Sequence, residues 1–259
     1  TPASKEFLLD MPNKCAFPNV LYTWNYAYKH TNFEGEKPTT IEDFFDTEKF
    51  PGRRSIHKDP MTNLEMALVA DGVPTDKVYD VLNTSKGVKR AIKKIEKLCN
   101  DPNGGCVFWS AGAQPPDLVM SGEVIMSTGY NGRFFNAAVG EGAPITQVYD
   151  GMAFDYVFFV IVKGGPNTEN AKKMLSFITN TQSGANMSKY LAYSPFRKSS
   201  MDVIQAGEPW YKDGKTDILP HLPTNPKNLT NYYALDLNFW ADNGVDLSET
   251  WEQMKGRIK

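Results

Sequence analysis

The adjacent pair Tyr232-Tyr233 is the one place in this sequence where neighbouring phenolic oxygens could hold a hard cation such as ferric iron. Such a site also needs a carboxylate or a captured anion, and the alternative reading is two strand or loop aromatics. His30, His57 and His221 stand far apart, and no HExxH or CxxC spacing occurs, so zinc has no ligand set. No GxSxG elbow, Walker loop or GxGxxG fingerprint is present. Gly104-Gly105 precedes strand-like residues rather than a helix, the wrong order for a phosphate cradle. Cys99 and Cys106 bracket the turn-rich spacer Asn-Asp-Pro-Asn-Gly-Gly, which could bring the two sulfurs within bonding distance. In an oxidising compartment this predicts a disulfide with Cys15 left over; otherwise the pair is two ordinary thiols. The absence of these spacings lowers the expectation of an enzyme without excluding one, and no cofactor is implied.

The elements around these residues read as alternating strands and helices. Residues 18–28 place Val20, Tyr22, Trp24, Tyr26 and Tyr28 at every second position, which is strand periodicity. Thr39-Thr-Ile-Glu42 resembles a capping box that opens a short helix through Phe45. Asp59-Pro60 reads as an N-cap followed by proline at the first helical position, with the helix ending near Gly72. Ser85 to Leu98 carries Val88, Ala91, Ile92, Ile95 and Leu98 on one apolar face among lysines. Further on come strands at Val107–Trp109, Val124–Thr128 and Ile145–Val148, and a buried run at Val157–Val162. Helices are expected at Pro115–Met120, from Asn131, around Ala171 to Ile178, and around Thr250 to Ile258. This alternation predicts an α/β fold with mostly parallel sheets and flanking helices.

The chain has 259 residues, is 41% hydrophobic and 22% charged, and carries a net charge of -2. That length suits two domains of ~100–150 residues, and the charge gives no basic surplus for nucleic acid. The longest apolar run, Tyr156 to Val162, falls far short of the ~20 residues that span a bilayer. Thr1-Pro-Ala-Ser-Lys has no basic-then-apolar leader, so either a signal peptide has been removed or the sequence begins inside a longer chain.

Three segments together resemble the spermidine/putrescine type of periplasmic solute-binding protein. They are TIEDFFDTEKFPGRRSIHKDPMTNLEMALVADG from Thr40, FWSAGAQPPDLVMSGEVIMSTGYNGR from Phe108 and FFVIVKGGPNTENAKKMLSFI from Phe158. The resemblance implies a two-lobed periplasmic-binding-protein fold of type II with strand hinges, closing over a small solute. It implies that residues 1–25 and 153–202 form a first lobe and residues 26–152 and 203–259 a second. The crossings would lie near Trp24, Asp155 and Met201, and a further piece of the first lobe, with one wall of the cleft, would precede Thr1.

Carried over residue by residue, the family's pocket serine falls on Ser110, its aromatic before Asn-Gly on Tyr130, its acid at the strand-to-helix turn on Asp59, and a later tyrosine on Tyr193. Trp24 joins this ligand-binding set. Each has a plainer reading: Asp59 caps its helix, Ser110 bonds a turn, Tyr130 packs. Thr62 stands where the family has a second acid, and Asp155-Tyr156-Val157 replaces its Trp-x-Asp, so that Asp155 supplies a displaced carboxylate. The resemblance implies a periplasmic receptor, monomeric when complete, that hands a polyamine, a smaller amine or another nitrogenous solute to the permease of an ABC importer. A ferric-iron receptor of the same fold and a motif-poor α/β enzyme are the alternatives.

Overall fold

The computed structural model describes residues 3–9, 15–207 and 212–258. Thr1 and Pro2, part of the segment read for a leader, lie outside the described residues.

The strands are β1 (Phe17–Lys29), β2 (Arg54–His57), β3 (Cys106–Trp109), β4 (Met126–Tyr130), β5 (Ile145–Phe159), β6 (Ser194–Pro195) and β7 (Tyr232–Ala234). The helices are α1 (Ile41–Phe45), α2 (Asn63–Val69), α3 (Val78–Leu82), α4 (Ser85–Asn100), α5 (Gln114–Ser121), α6 (Asn131–Phe135), α7 (Thr168–Ile178), α8 (Thr181–Met187), α9 (Lys198–Gln205) and α10 (Leu237–Lys255). The hydrogen-bonded strand order is β3-β2-β4-β1-β5-β7, with β6 paired to β1. Strand β2 runs parallel to both β3 and β4, and β1 runs antiparallel to β4. The α/β alternation predicted from the sequence is the architecture observed.

The chain divides into two compact units, one of residues 1–22 and 154–229 and the other of residues 23–153 and 230–259. Residues 203–229, expected with the second unit, belong to the first, and the late crossing falls at Leu229–Thr230 rather than near Met201. The reason is local to the first unit. The Thr224 amide donates to Ser194 Oγ at 3.1 Å, and Ser194 pairs with Leu21 of β1. Trp24, expected in the first unit, lies in the second.

Local chemistry explains where the elements start. Thr40 Oγ1 accepts from the Asp43 amide at 3.3 Å, and the Asp43 carboxylate accepts from the Thr40 amide at 3.1 Å, so the capping box sits one residue later than expected. Helix α2 begins at Asn63 with Thr62 as N-cap, not at Pro60. The Asp59 side chain therefore does not cap it; the Asn63 side-chain amide instead donates to the carbonyls of His57 at 2.8 Å and Asp59 at 2.7 Å. Helix α10 is longer than expected because Asp236 accepts from the amides of Asn238 and Phe239 at 3.0 Å, a cap worth ~1 kcal/mol.

Strand β5 is continuous where two separate runs were expected. Gly151 stands at φ 70° within it, and a Cβ there would meet the Ile41 side chain at 2.6 Å. The run expected to be buried at Val157–Val162 leaves Val160 and Val162 exposed beyond the end of the strand. Cys99 and Cys106 are joined by a disulfide, so neither pairs with Cys15. Among the described residues no helix is long and apolar enough to cross a membrane.

The second unit's core holds a fully buried arginine. Arg54 donates to the carbonyls of Phe44 at 2.9 Å, Gly52 at 2.5 Å and Asp46 at 3.0 Å. Burial lowers its pKa to about 10, and the three carbonyls hold the loop after α1 against β2.

Candidate functional site

Because β2, β3 and β4 are parallel, their last residues fall on one edge of the sheet. Those residues are His57, Trp109 and Tyr130, and Trp24 of antiparallel β1 pairs in register with Tyr130. Four neighbouring strands thus contribute one ring each. Trp24 lies 4.4 Å from Tyr130, 5.2 Å from His57 and 5.7 Å from Trp109, and His57 lies 4.5 Å from Trp109, centroid to centroid. Ring pairs at these separations add ~0.5–1.5 kcal/mol each beyond the area they bury. The carboxyl ends of parallel strands are where α/β sheets bind ligands.

The rings are held from behind. Trp109 is 1% exposed, and its indole N–H donates to Thr128 Oγ1 at 3.3 Å. Gly112 lies against Tyr130, where a Cβ would approach the ring to 2.8 Å, so the loop after β3 needs a glycine there. Gln114 Oε1 closes that loop by accepting from the amides of Ser110 and Ala111, each at 2.8 Å. Asn131 Oδ1 accepts from the Thr23 amide at 3.0 Å and fixes the turn after Tyr130.

Polar groups lie beside this aromatic cluster, in which Trp24 and Trp109 are buried and Tyr130 is partly exposed. The Asp59 side chain is 52% exposed and lies 3.9 Å from both His57 Nδ1 and Lys58 Nζ. The Asp59 amide donates to His57 Nδ1 at 3.3 Å. Burial lowers the His57 pKa, with the Asp59 charge acting in the opposite direction. Trp251 and Lys255 of α10 donate to the Lys58 carbonyl at 2.6 and 3.4 Å, which pins the segment carrying Asp59.

Of the residues singled out in the sequence, Trp24 and Tyr130 are in the ring cluster, and Asp59 and Ser110 follow the strands that end at His57 and Trp109. Thr62 is not available: it is 0% exposed, holds φ 68°, and its Oγ1 has no hydrogen-bond partner. The position matched by resemblance to a second acid is therefore turned into the interior. Asp155 and Tyr193 belong to the first unit, where the Tyr22 hydroxyl donates to the Asp155 carboxylate and the Tyr22 ring lies 5.9 Å from Tyr193. Sequence reasoning missed His57 and Trp109, although each closes a short strand just before a loop with polar or turn residues.

Tyr232-Tyr233 does not present two phenols together. The Tyr233 hydroxyl is buried and donates to the Thr62 carbonyl at 3.5 Å, while Tyr232 is partly exposed. Burial raises the Tyr233 pKa well above the ordinary tyrosine value, which opposes the tyrosinate that ferric iron requires.

Comparison with known proteins places this geometry. Residues 5–217 match the family of bacterial extracellular solute-binding proteins. The chain belongs to that family. It is 34% identical over 245 residues to the gamma-aminobutyric acid-binding protein of Pseudomonas aeruginosa, a match covering 95% of this chain and 65% of that protein. The chain therefore spans 65% of the length of this curated relative. Among solved structures it is similar to the PBP MotA from A. tumefaciens B6 in complex with glucopine, with a TM-score of 0.79 and 27% identity over 97% of this chain and 74% of that one. An ABC transporter substrate-binding protein from Bradyrhizobium japonicum USDA 110 matches with a TM-score of 0.80 and 28% identity over 98% of this chain and 74% of that one. The fold is that of the periplasmic binding proteins, and these relatives are solute-binding proteins rather than enzymes. The finding is at the level of the family and is coarser than the spermidine/putrescine type.

Proposed function

We propose that this chain is the solute-holding part of a periplasmic receptor that captures a small amine-bearing solute and delivers it to the permease of an ABC importer. The observation that carries the reading is the ring cluster of Trp24, Trp109 and Tyr130 at the strand ends, in which Tyr130 is partly exposed, together with the exposed carboxylate of Asp59 beside His57. Aromatic faces attract a desolvated cation through their quadrupole, and a carboxylate adds a charge-assisted hydrogen bond. A long polyamine fits this chain poorly, since Thr62 offers the interior a methyl and a hydroxyl where a second acid would face the ligand. A shorter nitrogenous solute fits better, and the names of the gamma-aminobutyric acid-binding relative and the glucopine complex support that choice.

In the first unit, Asp155 with Tyr22 and Tyr193 is a second candidate group for an amine, proposed on its own chemistry.

Native mass spectrometry and calorimetry on the full-length protein test the reading. We expect one equivalent of 4-aminobutyrate or 1,4-diaminobutane to bind and to be recovered unchanged on denaturation. Binding of neither, or conversion of the solute, overturns it.

A further inference from the structure

The hydrogen bonding of His57 carries information about the solute. A backbone N–H can only donate, so the 3.3 Å contact from the Asp59 amide makes His57 Nδ1 an acceptor. The proton of the neutral ring is then on Nε2. That Nε2–H has no hydrogen-bond partner among the described residues, and it is not sealed from solvent. The ring itself is held edge-on to Trp24 and Trp109, at 5.2 and 4.5 Å between centroids.

The groups around it favour this neutral tautomer. Lys58 lies on the same segment, Tyr130 ends the neighbouring strand, and Lys255 of α10 donates to the Lys58 carbonyl at 3.4 Å. Asp59 alone among the neighbouring charges favours the imidazolium, and burial opposes it. A second proton on Nδ1 would also set two donors against each other, imidazole N–H against amide N–H.

We propose that His57 is a specificity residue of the ring cluster: its Nε2–H donates to an oxygen of the solute, so that the receptor selects an amine carrying a carboxylate or carbonyl over a diamine. This rests on the amine reading above and narrows it. An amine group placed against Nε2–H would meet a donor with a donor, and an unpaired, desolvated donor discriminates strongly against that solute. An oxygen would complete the one polar atom of the ring that the protein leaves open.

The pair 4-aminobutyrate and 1,4-diaminobutane isolates the effect, because the two differ at one end only, carboxylate against aminomethyl. Calorimetry on the full-length protein would measure both solutes against wild type, His57→Phe and His57→Gln, with thermal unfolding as a folding control. Wild type should prefer 4-aminobutyrate by at least about tenfold. His57→Phe should remove most of that preference, whereas His57→Gln, which keeps an N–H donor at the position of Nε2, should retain it. A merely structural role would lower both affinities together and leave their ratio unchanged, and that result overturns the proposal. So does a wild type that binds the diamine as tightly as the acid. If neither solute binds wild type, the amine reading itself has failed and this one falls with it. Binding of both without discrimination leaves the amine reading standing and refutes the role of His57 alone.

Discussion

The two compact units treat their apolar side chains differently. In the second, large rings are enclosed: Trp109, Trp251, Phe44, Phe134 and Tyr26 are all fully buried, and Trp109 is itself part of the ring cluster at the strand ends. In the first, Val160, Val162, Met174, Phe177, Tyr190 and Leu191 are exposed, and Met174 and Phe177 lie on α7. Asp59 is presented by a segment pinned through Trp251, Lys255 and Asn63, and the Asp155 carboxylate accepts from the Tyr22 hydroxyl and the Tyr156 amide. A ring set in a closed core can be positioned closely enough to discriminate between solutes, because dense packing transmits small shifts.

The sharpest way to break this comparison is to open the second unit's core. Trp251→Ala removes a fully buried indole and the hydrogen bond to Lys58, and should destabilise that unit by ~3–5 kcal/mol in denaturant unfolding. It should also weaken solute binding, since the segment carrying Asp59 loses an anchor. An unchanged midpoint would mean that the ring cluster does not depend on the core beneath it.

Charge removal comes next. Asp59→Asn should cost ~2–5 kcal/mol of binding free energy, roughly 30-fold or more in affinity, with Asp155→Asn as the first unit's counterpart. Asp117→Asn, an exposed change on α5, is the control. Equal small losses at Asp59 and Asp117 in calorimetry would remove Asp59 from the site.

Glu65 gives a pH signature to the second unit. It is fully buried, accepts from Tyr79 at 3.0 Å and Trp240 at 2.7 Å, and has its second oxygen unpartnered. Burial raises its pKa from the ordinary 4.5 to about 7. The folded state therefore holds a proton that the unfolded state has lost, so this contribution is fully present below pH 4.5 and is lost as the pH rises to about 7. We expect a loss of up to about 3 kcal/mol across that window and its disappearance in Glu65→Gln. A slope that persists in the variant would assign it to another group.

Reducing the Cys99–Cys106 disulfide, which closes a short loop between α4 and β3, should lower stability by about 2–3 kcal/mol. Before reduction, thiol labelling of the unfolded protein should reach neither cysteine. The smallest effect is expected in the first unit: Phe177→Ala, at 68% exposure, should change stability by no more than ~0.5 kcal/mol. A loss of several kcal/mol there would show that this surface is covered in solution.

Much of the architecture is legible in the residues themselves. The apolar stripe of α4, the turn-rich spacer between the cysteines and the strand-to-helix turns after His57 and Tyr130 are all local patterns, and local patterns determine local elements. Asp59, Ser110 and Tyr130 came instead from the family resemblance, carried over onto residues at or just after the ends of strands. The local patterns misplaced the start of α2, where Asp59-Pro60 looks like a cap but the chain makes one more turn before Thr62. They also missed the length of α10, whose start depends on the Asp236 cap rather than on amphipathic spacing.

What the sequence by itself determined is therefore the order and kind of most elements, but not all of their ends. Only the tertiary structure decided which ends meet. The strand order β3-β2-β4-β1 is not the chain order, so Trp109, His57, Tyr130 and Trp24 come together through pairings across long stretches of sequence. No periodicity within a strand encodes those pairings. The burial of Thr62 and the return of residues 203–229 to the first unit are decided in the same way, by contacts whose partners lie far away along the chain. Such contacts form only where the packed layers bring the partners within reach, which is why the ring cluster belongs to the fold and not to any one segment of it.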